Sequence, residues 1–166
     1  MKPILYILCG PPGCGKSTFA NEFLQKLEAG GVDKRICISR DAIRYSMIKD
    51  DEEYFSREKE VFDTFVNAIA TQLQDGVCTI ADATHLDMYS RKKLTYAIDQ
   101  IYSDYEIVYV TFETPLEVCK VRNEKRLGRA CVPVEILQSM YNKFRIPRND
   151  EDPRMIGIIK VEGDVI

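Results

Sequence analysis

The sequence is poor in the features that mark secreted, membrane-bound and metal-binding proteins. No apolar run approaches the roughly 20 residues that a membrane helix needs. The N-terminal run, Ile4 to Cys9, stops at Gly10-Pro11-Pro12 after six residues and is too short for a signal peptide. There is a single histidine, and the six cysteines contain no C-x-x-C pair, which argues against a zinc site. Cys9, Cys37 and Cys78 fall in apolar runs and are expected to be small buried hydrophobes in a reducing compartment. No repeat, linker or low-complexity segment divides the chain. These absences predict a cytoplasmic protein with no membrane partner.

What is there fits one domain. A chain of 166 residues holds one sizeable core and is short for two. Its 45% hydrophobic and 30% charged residues suit a soluble globular fold. A net charge of −3 argues against coating nucleic acid by charge alone. Basic charge is nevertheless concentrated locally: Lys120 to Arg129, "KVRNEKRLGR", carries five cations and one anion.

Strand and helix patterns alternate from end to end. "PILYILC" reads as a buried strand, followed by a glycine loop and a helix from Lys16 to about Ala29, with Phe19, Phe23, Leu24 and Leu27 at helical spacing. "RICIS" is a short second strand ending at Arg40-Asp41. Phe62, Phe65, Val66, Ile69 and Leu73 mark a long amphipathic helix closed by Asp75-Gly76. "VCTIAD" is a third strand, Met88 to Ile101 a helix, and "YEIVYVTF" a fourth strand. Pro115 opens the next helix, "VPVEILQSMYNKF" reads as another, and "MIGIIKV" as the last strand. Such alternation predicts an α/β fold: a central parallel sheet covered on both faces, a three-layer sandwich. Ligands bind such sheets beyond the carboxyl ends of the strands, where Gly10, Asp41, Asp82 and Thr111 to Glu113 fall.

Gly10-x-x-x-x-Gly15-Lys16-Ser17 matches the phosphate-binding loop pattern at every position, and it follows a strand and opens a helix. Gly13 and Gly15 permit the backbone angles that turn N–H groups inward around an anion. Lys16 is suited to the β and γ phosphates, the Ser17 hydroxyl to Mg²⁺, and Thr18 to the α phosphate. Gly10, Gly13, Cys14, Gly15, Lys16, Ser17 and Thr18 are thus the expected nucleotide-binding positions, Ser17 is the expected metal ligand, and ATP and Mg²⁺ are the expected cofactors. The fold class that goes with this loop is the P-loop NTPase fold, with about five strands in the order 2-3-1-4-5. One kinase domain is expected over residues 1–166.

Two further absences bear on what receives the phosphate. A GTP switch needs N-K-x-D, and Asn142-Lys143 is followed by Phe144-Arg145. A hydrolytic motor usually carries a glutamate after the strand-three aspartate, and Asp82 is followed by Ala83. Both favour a hydroxyl acceptor over water. "ISRDAIR" supplies a carboxylate for it. Asp41 at the end of the second strand could take the proton of an attacking hydroxyl, although aspartate at this place also suits a helix N-cap. Arg44 falls on the same helix face and could hold an acceptor phosphate or the transferring group. Arg40 is expected to point elsewhere and to meet the acceptor.

Asp82 reads either as a turn residue or as an Mg²⁺ or acceptor contact at the sheet edge. His85 suits a surface or capping position as well as it suits substrate contact. Arg122 and Arg126, spaced i, i+4, are expected on one face of a helical lid, about 122–132, closing over ATP, with Arg126 stabilising charge on the migrating phosphoryl group and Arg129 assisting. The acidic run "DDEEYFSREKE", Asp50 to Glu60, reads as a solvated helix start.

Through most of its length the sequence resembles the P-loop polynucleotide 5′-hydroxyl kinases of the phage and bacterial RNA-repair type. The resemblance rests on "GPPGCGKST", "ISRDAIR", "IADATHL" and "VRNEKRLGRACVPVEILQSMYNKF". It implies transfer of the ATP γ-phosphate to the 5′-OH end of RNA or DNA with Mg²⁺. It also implies Asp41 as general base, Arg44 on the transferring phosphate or acceptor, Arg126 in the lid, and Arg40, Asp82 and Thr84 at the acceptor site. His85 stands where many members of that family place asparagine. Related P-loop kinases act on small metabolites, sugars, antibiotics or tRNA-linked seryl groups, which is the alternative reading. A nucleotide-dependent regulator without transfer activity is a third.

Overall fold

Alternation along the central strand sets the layers, because successive side chains of a strand point to opposite faces. In the computed structural model, which describes residues 1–163, β1 spans Ile4–Cys9. Its Leu5, Ile7 and Cys9 pack on one side with Phe65, Ile69 and Leu73 of α3 (Glu58–Gln74) and Leu94 and Ile98 of α4 (Met88–Asp99). Its Tyr6 and Leu8 pack on the other with Ala20 of α1 (Lys16–Ala29), Cys119 of α5 (Leu116–Glu124) and Leu137 of α6 (Val134–Lys143). Burying one such aliphatic side chain contributes about 1.5–3 kcal/mol, so each face of β1 anchors a helical layer. This is the expected three-layer sandwich.

The remaining strands are β2 (Arg35–Ser39), β3 (Cys78–Asp82), β4 (Glu106–Glu113) and β5 (Met155–Glu162). All pair in parallel, in the order β2-β3-β1-β4-β5. The register brings Ser39 opposite Asp82 and Cys9 opposite Thr111, so the strands end together and their C-terminal loops share one edge. β1, β3 and β4, inside the sheet, are largely buried, whereas edge strand β2 is half-exposed. Cys37 and Cys78 are accordingly only half-buried, unlike Cys9, and all six cysteines are free.

Local chemistry ends the elements where the sequence suggests. Gly76, at φ 73°, follows α3, and Asp87 with Ser90 forms a reciprocal capping box that starts α4. Pro115 and Pro133 immediately precede α5 and α6. Two expectations change. A short helix, α2 (Arg40–Met47), begins directly at the end of β2 and is capped by Ser39, whose hydroxyl accepts from the Ala42 N–H at 3.2 Å. Asp41 therefore lies inside α2 and is not its N-cap. Helix α5 stops at Glu124, and the expected lid continues as a turn and a 3₁₀ segment, Gly128–Ala130. Arg126 thus lies beyond the helix that carries Arg122, and the two do not share a helical face. Among the described residues, no helix is long and apolar enough to cross a membrane.

Candidate active site

The loop after β1 has the shape its glycines allow. Gly13 and Gly15 take φ 78° and 104°, values that strain any residue with a Cβ. At Gly13 space is closed as well, since a Cβ would come within 2.4 Å of the Cys119 carbonyl oxygen. The loop thus leans on α5, and the Thr114 hydroxyl donates to the Cys14 carbonyl at 2.9 Å. The Lys16 ammonium folds across the loop, donating to the carbonyls of Gly10 and Pro11 at 2.9 and 2.8 Å. The Ser17 hydroxyl donates to the Asp82 carboxylate at 3.0 Å. Asp82 is buried at the end of β3; burial pushes its carboxyl pKa up, against the opposing effects of Lys16 and the Ser17 bond.

This arrangement fits a magnesium nucleotide. Ser17 and Asp82 supply hard oxygen donors side by side, the type Mg²⁺ prefers. The glycine loop offers its N–H groups at a helix N-terminus, and among the described residues Lys16 has no carboxylate partner to leave before meeting a phosphate.

Two cavities flank the loop. One, of about 520 Å³, is lined by Gly13, Cys14, Gly15 and Thr18, by Arg122 and Arg126, and by the end of β5. The other, of about 730 Å³, is lined by Lys16, Ser17, Asp41, Arg44, Asp82 and Thr84, and further out by α6. Arg126 lines both. Arg122 reaches the loop itself, its Nη1 lying 3.4 Å from where a Cβ on Gly15 would stand.

Of the residues expected at the site, Gly10 and His85 line neither cavity. Gly10 is buried beneath the loop, its N–H donating to the Thr84 carbonyl at 2.9 Å. His85 is also buried, not at the surface, and its Nδ1 bonds to the Leu8 carbonyl at 2.7 Å. Since a carbonyl only accepts, Nδ1 carries a proton. Burial first, and then the charges of Arg40, Lys16 and Arg91, push the His85 pKa down to about 4 against the Leu8 bond, which keeps the ring neutral. Its backbone, at φ 41°, turns the chain so that the His85 carbonyl meets Arg91 at 3.0 Å. Arg91 is fully buried and paired with Glu151 at 2.8 Å, and it also donates to the Arg145 carbonyl at 3.0 Å. This hub fixes the loop that carries Thr84.

The arginines after β2 are held more tightly than expected. Arg44 is buried and donates to Asp41 at 2.5 Å and to both oxygens of Glu58, at 3.0 and 2.8 Å. Burial opposes its charge, and the hydrogen bonds it donates to Glu58, with the charges of Glu58 and Asp41, outweigh that, so its pKa rises. Arg40 does not point elsewhere: it bonds to the same Glu58 and lies 5.2 Å above the Phe62 ring. The Tyr54 hydroxyl donates to Asp41 at 2.9 Å; burial first, and then the charge of Asp41, push the Tyr54 pKa up and keep that proton in place.

Glu58, Tyr54 and Phe55 thus belong to the cleft wall, although their segment reads as a solvated helix start. A signal was present. Glu58, Phe62, Phe65 and Ile69 follow i, i+4, i+7, i+11, so the glutamate sits on the apolar stripe of α3, where a solvated acid is out of place. Arg129 likewise turns to this segment, donating to the carbonyls of Lys49, Asp50 and Glu52 and tying the lid to the far wall.

Residues 5–147 match the family described as an AAA domain. The chain belongs to that family. It is 30% identical over 144 residues to the L-seryl-tRNA(Sec) kinase of Methanococcus maripaludis, covering 87% of this chain and 53% of that protein. In fold it is similar to a chain of the Pnkp1/Rnl/Hen1 RNA repair complex, with a TM-score of 0.70 and 24% identity over 86% of this chain and 44% of that one. It is similar also to the APS kinase CysC of Mycobacterium tuberculosis, with a TM-score of 0.68 and 19% identity over 99% and 91% of the two chains. The chain therefore spans about half the length of the curated relative, which is named as a kinase.

Proposed function

We propose that this chain is a phosphotransferase that moves the γ-phosphoryl group of ATP to a hydroxyl, the acceptor being the 5′-OH end of RNA or DNA. One observation carries the reading: two cavities meet at the phosphate loop, and Asp41 with Arg44 lies on the wall of only one of them. A hydrolase needs no second cavity of this size.

In this reading the smaller cavity holds the nucleotide, with Arg122 and Arg126 above the loop and the backbone of residues 13–18 around the phosphates. Ser17 and Asp82 would hold a magnesium ion, which would supply charge neutralisation at the phosphate oxygens. Lys16 leaves the Gly10 and Pro11 carbonyls and moves to the β and γ phosphates. Asp41 orients the accepting hydroxyl and takes its proton through the carboxylate oxygen that Tyr54 and Arg44 do not use. Arg126, at the boundary of the two cavities, meets the migrating phosphoryl group and stabilises its charge. Arg44, braced by Glu58, keeps Asp41 aimed. Thr84, Arg40 and Asp82 contact the acceptor side. His85, expected there, instead shapes the loop from below.

The alternative acceptor is a small metabolite. It is favoured by the pairing of Arg40 and Arg44 with carboxylates, which leaves them less free for a polyanion. Incubation with γ-labelled ATP, Mg²⁺ and a 5′-OH oligonucleotide separates the two. Label on the oligonucleotide supports the first reading; label only on metabolites, with none on the oligonucleotide, overturns it in favour of the second.

A further inference from the structure

Phosphoryl transfer makes no use of the rings that crowd the outer part of the larger cavity. Tyr45 of α2 lies 6.1 Å from Tyr54 between centroids, and Tyr54 lies 4.7 Å from Phe55, both pairs edge to face. Phe55 is 64% exposed and Tyr45 41%, and both line the cleft with Asp41. Large apolar rings left open to water in a concave site are unfavourable unless a ligand covers them.

Their setting is firm. The Arg44 guanidinium lies 4.6 Å from the Tyr54 ring centre and 5.5 Å from that of Phe55, while Glu58 and Asp41 hold the guanidinium itself. The rings therefore rest on an anchored cation and keep their orientation. From a separate element, α6, Ile136 and Met140 add aliphatic surface to the same cleft. Phe55, Ile136 and Met140 offer no hydrogen bonds, so they do not suit the hydroxyl-rich face of a sugar. They suit the face of a flat, weakly polar ring.

We propose that Tyr45 and Phe55 form a stacking platform for a nucleobase on the same nucleoside as the accepting hydroxyl. The inference rests on reading this cleft as the acceptor side, and it names the chemistry by which that side selects its substrate. Stacking tolerates any base, because every base has a π face. The platform therefore recognises a nucleoside end without reading its sequence.

Calorimetry with AMPPNP and Mg²⁺ saturating the donor side tests it, adenosine and free ribose being titrated in turn. Adenosine is expected to bind about tenfold or more tighter than ribose, within the range stacking contributes. That advantage should vanish in Phe55→Ala and shrink in Tyr45→Ala, and Phe55→Trp should retain it; all three changes are at exposed positions. In parallel, transfer is measured to two 5′-OH oligonucleotides, one ending in a normal nucleotide and one in an abasic residue. A higher KM for the abasic end in the wild type, and equal KM values in Phe55→Ala, support the platform. Equal binding of adenosine and ribose, with both oligonucleotides labelled alike, overturns the platform and leaves the polynucleotide reading standing. Tighter adenosine binding that depends on Phe55, with neither oligonucleotide labelled, upholds the platform and overturns the polynucleotide acceptor. Equal binding with no labelling overturns both.

Discussion

On the donor side, half of the cavity wall comes from one continuous stretch, residues 13–22, folded around its own glycines. On the acceptor side, the wall is assembled from α2, the segment before α3, the end of β3, the lid and α6. The first half is a local structure that a strand, a turn and a helix produce by themselves. The second exists only once the sheet is built. Phosphate binding can therefore be encoded in nine residues, while acceptor choice depends on how distant segments pack. The names of similar proteins point to substrates as different as a seryl-tRNA and APS.

The largest effect that separates the halves is expected at Arg126, which lines both. Arg126→Ala should slow transfer about 10³-fold, as for other arginines that meet a migrating phosphoryl group. Its melting temperature should stay near the wild-type value, because the side chain is exposed and, among the described residues, its one hydrogen bond is a long one to the Ala130 carbonyl. An unchanged rate would remove the lid from the mechanism.

A smaller effect, confined to the acceptor side, is expected from Glu58→Gln. The change keeps the shape but removes the charge that pairs with Arg44 and Arg40. Transfer should fall about tenfold, less than the roughly 10²–10⁴-fold that loss of the base itself costs. Stability should fall by about 1–2 kcal/mol in urea titrations, less than for a fully buried pair because Glu58 is partly exposed. Nucleotide affinity should not move. A loss of ATP binding comparable to the loss of rate would show that the two halves are not separable.

How far the sequence reveals these halves follows from the same contrast. Strand order, the loop, Lys16 and Ser17 were legible because each depends on local pattern or on the few ways parallel strands connect. Asp41 was legible as a carboxylate at a strand end. Its surroundings were not: Tyr54, which donates to it, and Glu58, which braces its partner Arg44, are 13 and 17 residues away in the chain, and their own segment is acidic enough to read as solvated. Arg126 was read onto a helix that stops at Glu124, since nothing between Asn123 and Arg126 breaks helical pattern strongly. From sequence His85 suits a surface or capping position as well as substrate contact, because a lone histidine carries no sign of the Leu8 carbonyl that it meets when buried.

The last expected effect is on acid stability and not on catalysis. His85 titrates at about 4 in the folded chain against an ordinary 6.5, so between these values the unfolded chain binds more protons and stability falls as pH falls. The full effect is about 3 kcal/mol, reached near pH 4 and absent above about 6.5. His85→Asn removes the titration, and asparagine tolerates the positive φ. Urea titrations at pH 7 and pH 4.5 should show a smaller acid loss in the variant. Equal losses would mean that His85 is not held neutral.

The separation of donor and acceptor halves is tested most directly at Asp41. ATP binding and transfer from γ-labelled ATP to a 5′-OH oligonucleotide should be measured together for the wild type and Asp41→Asn. Loss of a positioned general base should lower transfer about 10²–10⁴-fold, with ATP affinity unchanged. Transfer at the wild-type rate in Asp41→Asn, or ATP affinity falling in step with transfer, would contradict the account.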